Sequence, residues 1–251
     1  MGKTIAVVNQ KGGVGKTTTA VNLAAALGEL GLKVLLCDFD PQANATSGLG
    51  VDKRKAKYYV YNALIGQVPV ADAAVKTKYA DVLPSSADLA GAAIELIGVP
   101  DREFQLKKAL DAVKNEYDVI LIDCPPSLEL LTLNGLCAAD SILVPVQCEY
   151  FALEGLSDLM NTLRIVKKRL NPNLEIFAVA LTMYDGRTNF CAQVAEEVRR
   201  HFPGKVLHTV IPRNIRLAEA PSHGIPVIAY DKHSRGAVAY RQMAEEVKTR
   251  L

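Results

Sequence analysis

The stretch Lys11-Gly12-Gly13-Val14-Gly15-Lys16-Thr17-Thr18 decides the fold of this 251-residue chain. It lies between a short apolar run, residues 5–8, and a segment rich in alanine and leucine, residues 20–30. Glycine-rich loops between a strand and a helix bind phosphate, because backbone N–H groups and the helix N-terminus point at the anion. The pattern therefore predicts a nucleotide phosphate-binding loop.

The polar residues of the loop have distinct expected tasks. Lys16 should reach the β- and γ-phosphates, Thr17 should ligate Mg²⁺ through its hydroxyl, and Thr18 should contact the α-phosphate. The remaining positions should contact the phosphates through their backbone N–H groups: Gly12, Gly13, Val14 and Gly15.

The loop departs from the usual phosphate-loop pattern at its start. That pattern has a glycine five residues before Gly15, where this chain has Gln10. A second lysine, Lys11, follows directly. A generic glycine turn with solvated lysines is the alternative, and the strand–loop–helix context disfavours it.

Apolar runs alternate with helical patterns along the chain. The runs predict strands at residues 5–8, 33–38, 119–123, 141–146 and 176–181, and shorter ones at 206–207 and 226–228. Helical patterns occupy residues 20–30, 104–114, 153–170, 191–201 and 235–250. Near-continuous apolar strands are typical of sheets covered on both faces. We therefore expect an α/β fold, a P-loop NTPase-like, mainly parallel twisted sheet with helices on both faces, in a single domain over residues 1–251.

Acidic residues end two of the predicted strands. Asp123 ends the run 119–123, where it can hold a water on Mg²⁺. Asp38 and Asp40 stand at i and i+2, so their carboxylates point to the same side. One can face the metal ion while the other orients the attacking water. Capping or turn formation at a strand end is the alternative for all three.

Together these blocks resemble the deviant Walker A ATPases, whose loop reads K-G-G-x-G-K-[ST], and within them the ParA/Soj family of chromosome- and plasmid-partitioning proteins. The resemblance extends over residues 9–19, 38–46, 121–127, 147–156, 181–185, 210–222 and 230–237. It implies ATP or ADP and Mg²⁺ as cofactors, slow ATP hydrolysis, and a nucleotide-sandwich homodimer in the ATP state. A ParB-type centromere-binding protein would stimulate hydrolysis.

The resemblance also implies roles for single residues. Lys11 would reach across the dimer to the partner's nucleotide and would act in catalysis with Lys16 and Asp40, the latter positioning the attacking water. Gly12 would lie at the dimer interface. Asp38 and Asp123 would belong to the switch segments beside the metal ion. The adenine base would lie near three further residues: Met183, Pro212 and Asn214.

The net charge of +2 is unevenly distributed. Residues 1–184 carry 18 basic and 20 acidic side chains (−2), whereas residues 185–251 carry 11 and 7 (+4). A basic cluster of this kind is either a solvated face or a surface for phosphates. The resemblance favours non-specific binding of double-stranded DNA by the ATP dimer, through residues that match Arg187 and Arg216.

Three other function classes share parts of this pattern. A MinD-like membrane-cycling ATPase has the same loop and adds an amphipathic membrane helix. We expect the apolar stripe of residues 235–250 to pack on the core instead, and hence no membrane partner. An iron–sulfur ATPase would need cysteines paired across a dimer axis, and beside Cys124 no second cysteine has a suitable context. The family blocks outside the loop disfavour a small-molecule ligase or kinase.

Composition sets the expected location. Hydrophobic residues make up 49% of the chain, which excludes disorder, and no apolar run reaches the length of a membrane span. With reduced thiols and the family resemblance, we expect a cytoplasmic, nucleoid-associated bacterial protein.

Overall fold

The computed structural model describes residues 2–127, 129–149 and 152–251; Tyr150 and Phe151, within the block 147–156, lie outside these residues. The described strands form one sheet: β1 Lys3–Val7, β2 Val34–Asp38, β3 Asp81–Leu83, β4 Val119–Asp123, β5 Ser141–Gln147 and β6 Glu175–Thr182. Their order is β3-β2-β4-β1-β5-β6, and every neighbouring pair is parallel. The expected parallel α/β sheet is confirmed.

The helices connect the strands on both faces of the sheet. Their bounds are α1 Lys16–Glu29, α2 Asn44–Gly48, α3 Val60–Leu64, α4 Val70–Ala73, α5 Leu89–Glu95, α6 Gln105–Asp111, α7 Leu130–Ala138, α8 Ala152–Arg169, α9 Asn189–His201, α10 Ile215–Glu219, α11 Val227–Tyr230 and α12 Arg235–Lys248. A 3₁₀ turn, Ala220–His223, follows α10 directly.

Alternation along the strands divides the core into two layers. Ile5 and Val7 of β1 pack with α1 and α12 in one apolar cluster. Ala6 and Val8 point to the other face and join the cluster that holds α7 and α8. Because both faces are covered, β2 and β4 are buried along their whole length, which explains their continuous apolar sequences.

Two predicted short strands do not form. Residues 226–228 were expected to be extended, but Val227 begins helix α11 and its N–H donates to the Asn22 side chain at 2.7 Å. Pro226 has no N–H for a strand ladder, and its carbonyl accepts from Ala229 at 3.0 Å, which closes a helical turn. Val206 makes only an isolated bridge to Val179.

The apolar stripe of α12 packs inward, as expected. Its buried residues are Gly236, Ala237, Ala239, Tyr240, Met243, Ala244 and Val247. The Tyr240 hydroxyl lies 3.2 Å from the Thr19 hydroxyl of α1, so the last helix is fixed to the helix that follows the glycine-rich loop. Within the described ranges, no helix combines the length and the apolar character that a bilayer crossing needs.

Candidate nucleotide-binding site

The glycine-rich loop connects β1 to α1 at the carboxyl edge of the sheet, where open parallel sheets bind their ligands. Gly13 (φ 75°) and Gly15 (φ 88°) adopt left-handed conformations that disfavour a side chain. The Thr182 hydroxyl at the end of β6 donates to the Val14 carbonyl at 2.8 Å and fixes the loop. No described side chain caps the N-terminus of α1, so its first N–H groups are available to an anion.

Lys16 is buried at the centre of the loop. Its Nζ donates to the Lys11 carbonyl at 3.1 Å. Burial lowers the pKa of Lys16, while the carboxylates of Asp123 and Asp40 act in the opposite direction. The ammonium group is therefore held between the loop backbone and the acidic strand ends.

Asp38 and Asp123 are register neighbours on β2 and β4, and both are fully buried. Thr46 of α2 donates to Asp38 Oδ2 from its backbone N–H at 2.7 Å and from its hydroxyl at 2.6 Å. The Asp40 N–H reaches Asp38 Oδ1 at 3.3 Å. Burial raises the pKa of Asp38 to about 6 in spite of these bonds. Through these bonds Asp38 links the end of β2 to Asp40 and to α2. Its expected place beside a metal ion stays a prediction.

Asp123 has a different environment. Neither of its carboxylate oxygens has a hydrogen-bond partner among the described residues. Burial, and next the charge of Asp38, raise the pKa of Asp123 well above its ordinary value. The Thr17 hydroxyl is near enough to favour the ionised form, although it does not reach hydrogen-bond geometry. A buried carboxylate without a partner is costly unless a cation compensates it.

The donor set fits Mg²⁺ bound together with a nucleotide. Mg²⁺ prefers oxygen ligands and is usually held by one or two carboxylates plus substrate phosphates. Asp123 and Thr17 supply such oxygens beside Lys16. Among the described residues no three His, Cys, Asp or Glu side chains form a metal site by themselves, so the ion would depend on the phosphates for its other ligands.

Asp40 lies outside this buried pair, in the loop after β2. It is half-buried, and its Oδ1 accepts from the Gln42 N–H at 2.9 Å. Lys11, at the start of the glycine-rich loop, forms an ion pair with Glu149 at 3.2 Å. Asp40 and Lys11 are both partly exposed. This exposure suits the predicted contact of Asp40 with water and of Lys11 with a second subunit.

Gly12 is exposed at the tip of the loop. A methyl group built there would meet no described atom within 4 Å, and its φ is not among the positive values. Nothing in the described part of the chain itself therefore requires glycine at this position. This open space is consistent with the predicted place at a dimer interface.

The three expected adenine contacts lie together. Met183, Pro212 and Asn214 line a cavity of about 360 Å³ that also includes Gly15 and Thr18 of the phosphate loop. The cavity is bounded further by Thr182, Ile211, Arg213, Ile215, Leu217, Ala218 and Tyr240. Because a largely apolar pocket opens directly beside the phosphate loop, a base and its phosphates fit into one continuous site.

The two arginines expected to bind DNA are both occupied by acidic neighbours. Arg187 is highly exposed and forms two hydrogen bonds to Asp185, from Nε at 2.9 Å and from Nη2 at 2.7 Å. Arg216 pairs with Glu219 at 2.7 Å and with Asp231 at 3.4 Å. These arginines therefore do not form a free cationic cluster in this conformation.

Three contacts at the site were not predicted from the sequence. Thr182 ends β6 at the carboxyl edge of the sheet, a position that could have marked it as a candidate. Thr46 and Glu149 had no such signal, because their contacts with Asp38 and Lys11 depend on how the following loops fold.

Known proteins share this architecture and sequence. A family model described as an AAA domain matches residues 2–176. The chain is 58% identical over 249 residues to the sporulation initiation inhibitor protein Soj of Bacillus subtilis, covering 98% of each. It is 51% identical over 252 residues to the chromosome partitioning protein ParA of Caulobacter vibrioides, covering 99% of this chain and 94% of that protein.

A solved structure shows the same fold with ligands bound. The crystal structure of cobyrinic acid a,c-diamide synthase from Mycobacterium smegmatis, with a bound ATP analogue and magnesium, has a TM-score of 0.85 to this chain and is 40% identical. The match covers 98% of this chain and 93% of that one.

Proposed function

The chain belongs to the ParA/Soj family of chromosome-partitioning ATPases, and from that premise we propose that it works as one ATPase domain whose ATP-bound dimer holds DNA without sequence preference. ATP hydrolysis, stimulated by a ParB-type partner, would separate the dimer and release the DNA. The cycle would place the protein on the bacterial nucleoid in its ATP state.

One observation carries the nucleotide part of this proposal. The buried carboxylate of Asp123 has no described partner and lies beside the Thr17 hydroxyl and the Lys16 ammonium, next to an uncapped helix N-terminus. A Mg²⁺–nucleotide complex supplies both the cation that Asp123 lacks and the anion that the helix and Lys16 attract. ATP with Mg²⁺ also supplies the phosphoryl bond that is hydrolysed.

The chain's own residues would then divide the work. Lys16 and the loop N–H groups bind and orient the phosphates, and Thr17 and Asp123 hold the ion. Asp40, half-buried at the entrance, orients the attacking water. A carboxylate is a weak general base at neutral pH, so slow turnover is expected.

Dimer formation would complete the site. Lys11 would leave Glu149 and place its ammonium on the phosphates bound by the partner subunit, in the manner of an arginine finger. Exposed Gly12 would allow the close approach that this requires. Because the ATP dimer presents two copies of each basic surface, its affinity for DNA would exceed that of the monomer.

The membrane-cycling alternative gains no support from the last helix of the described structure. The apolar stripe of α12 is buried against α1 and is not available to a membrane surface. No other described feature favours that function.

The direct test combines DNA binding with gel filtration in the presence of ADP, ATP or a slowly hydrolysed ATP analogue. We expect dimers and retention on mixed-sequence double-stranded DNA only with ATP or the analogue, and neither in the Lys16→Ala variant. Equal DNA retention with ADP, or binding to anionic vesicles in place of DNA, would overturn the proposal.

A further inference from the structure

A second basic surface lies far from the C-terminal segment, in the loop that follows α2. This basic loop, residues 52–57, reads Asp52-Lys53-Arg54-Lys55-Ala56-Lys57 and carries a net charge of +3 within six residues. All four of its cations are exposed. The remainder of residues 1–184 therefore sums to −5, so the loop is a local exception in an acidic part of the chain.

The loop has a defined conformation. Asp52 Oδ1 accepts from the Arg54 N–H at 3.0 Å, and the Asp52 carbonyl accepts from the Lys55 N–H at 2.9 Å, which closes a turn. The Tyr59 hydroxyl donates to the Lys53 carbonyl at 3.1 Å. The turn therefore fixes the directions in which the cationic side chains leave the backbone.

Most of the positive charge in the loop is unpaired. Lys55 forms the one ion pair described for this loop, with Asp52 at 3.3 Å. Lys53 Nζ donates to the Gln42 carbonyl at 3.0 Å, and Lys57 lies over the Tyr58 ring at 5.0 Å; neither forms an ion pair with a described residue. Arg54 has no acidic partner within the described ranges.

The segment just before the basic loop packs against the end of the 3₁₀ turn that follows α10, the helix that carries Arg216. Gly50, three residues before Lys53, packs against Gly224: a methyl group added at Gly50 would lie 2.9 Å from the Gly224 carbonyl oxygen. The neighbouring His223 stacks on Tyr230 with 4.9 Å between ring centroids. The Tyr230 hydroxyl in turn lies 3.3 Å from Glu219, the residue that pairs with Arg216. A continuous series of contacts thus joins the segment before the basic loop, at Gly50, to Glu219 and Arg216 of α10.

The net charges around Arg187, around Arg216 and in the basic loop decide which of these surfaces attracts a polyanion. Arg187 and Asp185 with the nearby Arg213 sum to +1, and Arg216 with Glu219 and Asp231 sums to −1. The basic loop sums to +3, or +6 in a dimer. Contacts with the phosphate backbone need net positive charge and carry no sequence information.

We propose that residues 53–57 form a second DNA-contacting surface, which binds the phosphate backbone of double-stranded DNA next to α10. The inference rests on the proposed function, since it assumes DNA binding by the ATP dimer. Lys53, Arg54 and Lys57 supply the phosphate contacts, and the arginine pairs of the C-terminal segment open only after the DNA has been attracted.

The test compares a double variant with a matched control. Arg54→Gln/Lys57→Gln removes two unpaired cations and spares Lys53, whose contact with Gln42 lies next to Asp40. The control Lys167→Gln/Lys168→Gln removes two exposed cations from the last turn of α8. Gel filtration with ATP should show the same dimer for both variants, which verifies folding.

DNA affinity is then measured by fluorescence anisotropy on a mixed-sequence duplex, with the slowly hydrolysed ATP analogue, over a series of salt concentrations. The double variant should lose at least about tenfold in affinity at low salt. The slope of log K against log salt should become shallower by about two to four, at about 0.9 per lost phosphate contact. The control should match the wild type.

The outcomes separate the two proposals. If the wild type binds DNA with ATP and the double variant binds with the same affinity and slope, the basic loop is not a DNA surface, although the proposed function stands. The inference also fails if the variant loses binding to phosphatidylglycerol vesicles and keeps its binding to DNA. A wild type that does not bind DNA with ATP overturns both proposals.

Discussion

Replacing Asp123 by asparagine should stabilise the ligand-free protein and at the same time remove its response to Mg²⁺ and ATP. Asp123 is fully buried, and neither carboxylate oxygen has a described partner. The neighbouring carboxylate of Asp38 adds repulsion. Asparagine keeps the shape, removes the charge and offers an N–H donor toward Asp38.

The size of the effect follows from the cost of burying these charges. For Asp38 the pKa rises from 3.8 to about 6, which corresponds to about 3 kcal/mol at high pH. The pKa of Asp123 is raised well above its ordinary value, for the same reason of burial. A buried amide with an imperfect partner costs about 1–3 kcal/mol. We therefore expect a net gain of about 2 kcal/mol at pH 8, or about 4–8 °C in Tm for a chain of this size.

The pH dependence has a definite sign. Both carboxyl groups have folded-state pKa values above their ordinary value of 3.8, so the folded protein binds protons more tightly than the unfolded chain. Their stabilising contribution is complete below about pH 4 and is lost as the pH rises through the folded-state pKa values, which are about 6 for Asp38 and well above the ordinary value for Asp123. The Asp123→Asn variant should lose the part of this decline that Asp123 contributes.

Thermal unfolding followed by circular dichroism, in EDTA at pH 6 and pH 8, measures both effects. Adding Mg²⁺ and ATP at a hundredfold excess over Kd should stabilise the wild type by about 2.7 kcal/mol and the variant much less. Ser141→Ala is the matched control, because it removes another buried oxygen without a described partner, on β5, and should keep the full ligand response. An Asp123→Asn variant that melts at or below the wild-type temperature at pH 8, or that keeps the ligand response, would refute the reasoning.

Four further substitutions test the rest of the site. Lys16→Ala should abolish ATP binding in calorimetry, and retained binding would contradict its place at the phosphates. Gly12→Val should leave thermal stability within about 0.5 kcal/mol and preserve ATP binding, but light scattering should show only monomers; a sandwich dimer in this variant would disprove the interface assignment. Asp40→Ala should trap an ATP dimer on DNA, with phosphate release far below that of the wild type, and normal turnover would count against its role. Glu149→Gln should free Lys11 and strengthen the ATP dimer by up to about fivefold, since an exposed pair contributes about 0–1 kcal/mol; a weaker dimer would show that Glu149 supports the closed state instead.

Local chemistry in the sequence was sufficient to predict the sheet and the phosphate site. The loop of residues 11–18 could lie only between a strand and a helix, and the continuous apolar runs required a sheet covered on both faces. Strand β4 was predicted with its observed bounds, because five consecutive residues buried on both faces leave a clear signal. Asp38 and Asp123 were both expected at the carboxyl edge of the sheet, since parallel strands end at one edge, but their direct pairing depends on the observed β2–β4 neighbourhood.

Short elements escaped prediction because their state depends on distant contacts. Strand β3 has three residues, which pair with β2 and through Val82 with an isolated bridge to Val75. Helix α11 is helical partly because Asn22 accepts the N–H of Val227. Neither the β2–β3 pairing nor the contact of Asn22 with Val227 can be recognised in the local pattern of apolar and polar residues.

The folded structure, through local turns and tertiary contacts, decided how the charges are paired. The family resemblance singled out Arg187 and Arg216 as DNA contacts, and charge counting placed the basic loop within an acidic segment. Local turns placed Asp185 against Arg187 and Glu219 against Arg216, and the tertiary fold brought Asp231 to Arg216. Within the described residues, Lys53, Arg54 and Lys57 form no ion pair, and Asp52 pairs with Lys55. The sequence by itself determined the phosphate loop and the acidic strand ends, because their chemistry is local. The surface that meets a polyanion is determined by which opposite charges the fold brings within about 4 Å, and composition cannot reveal that.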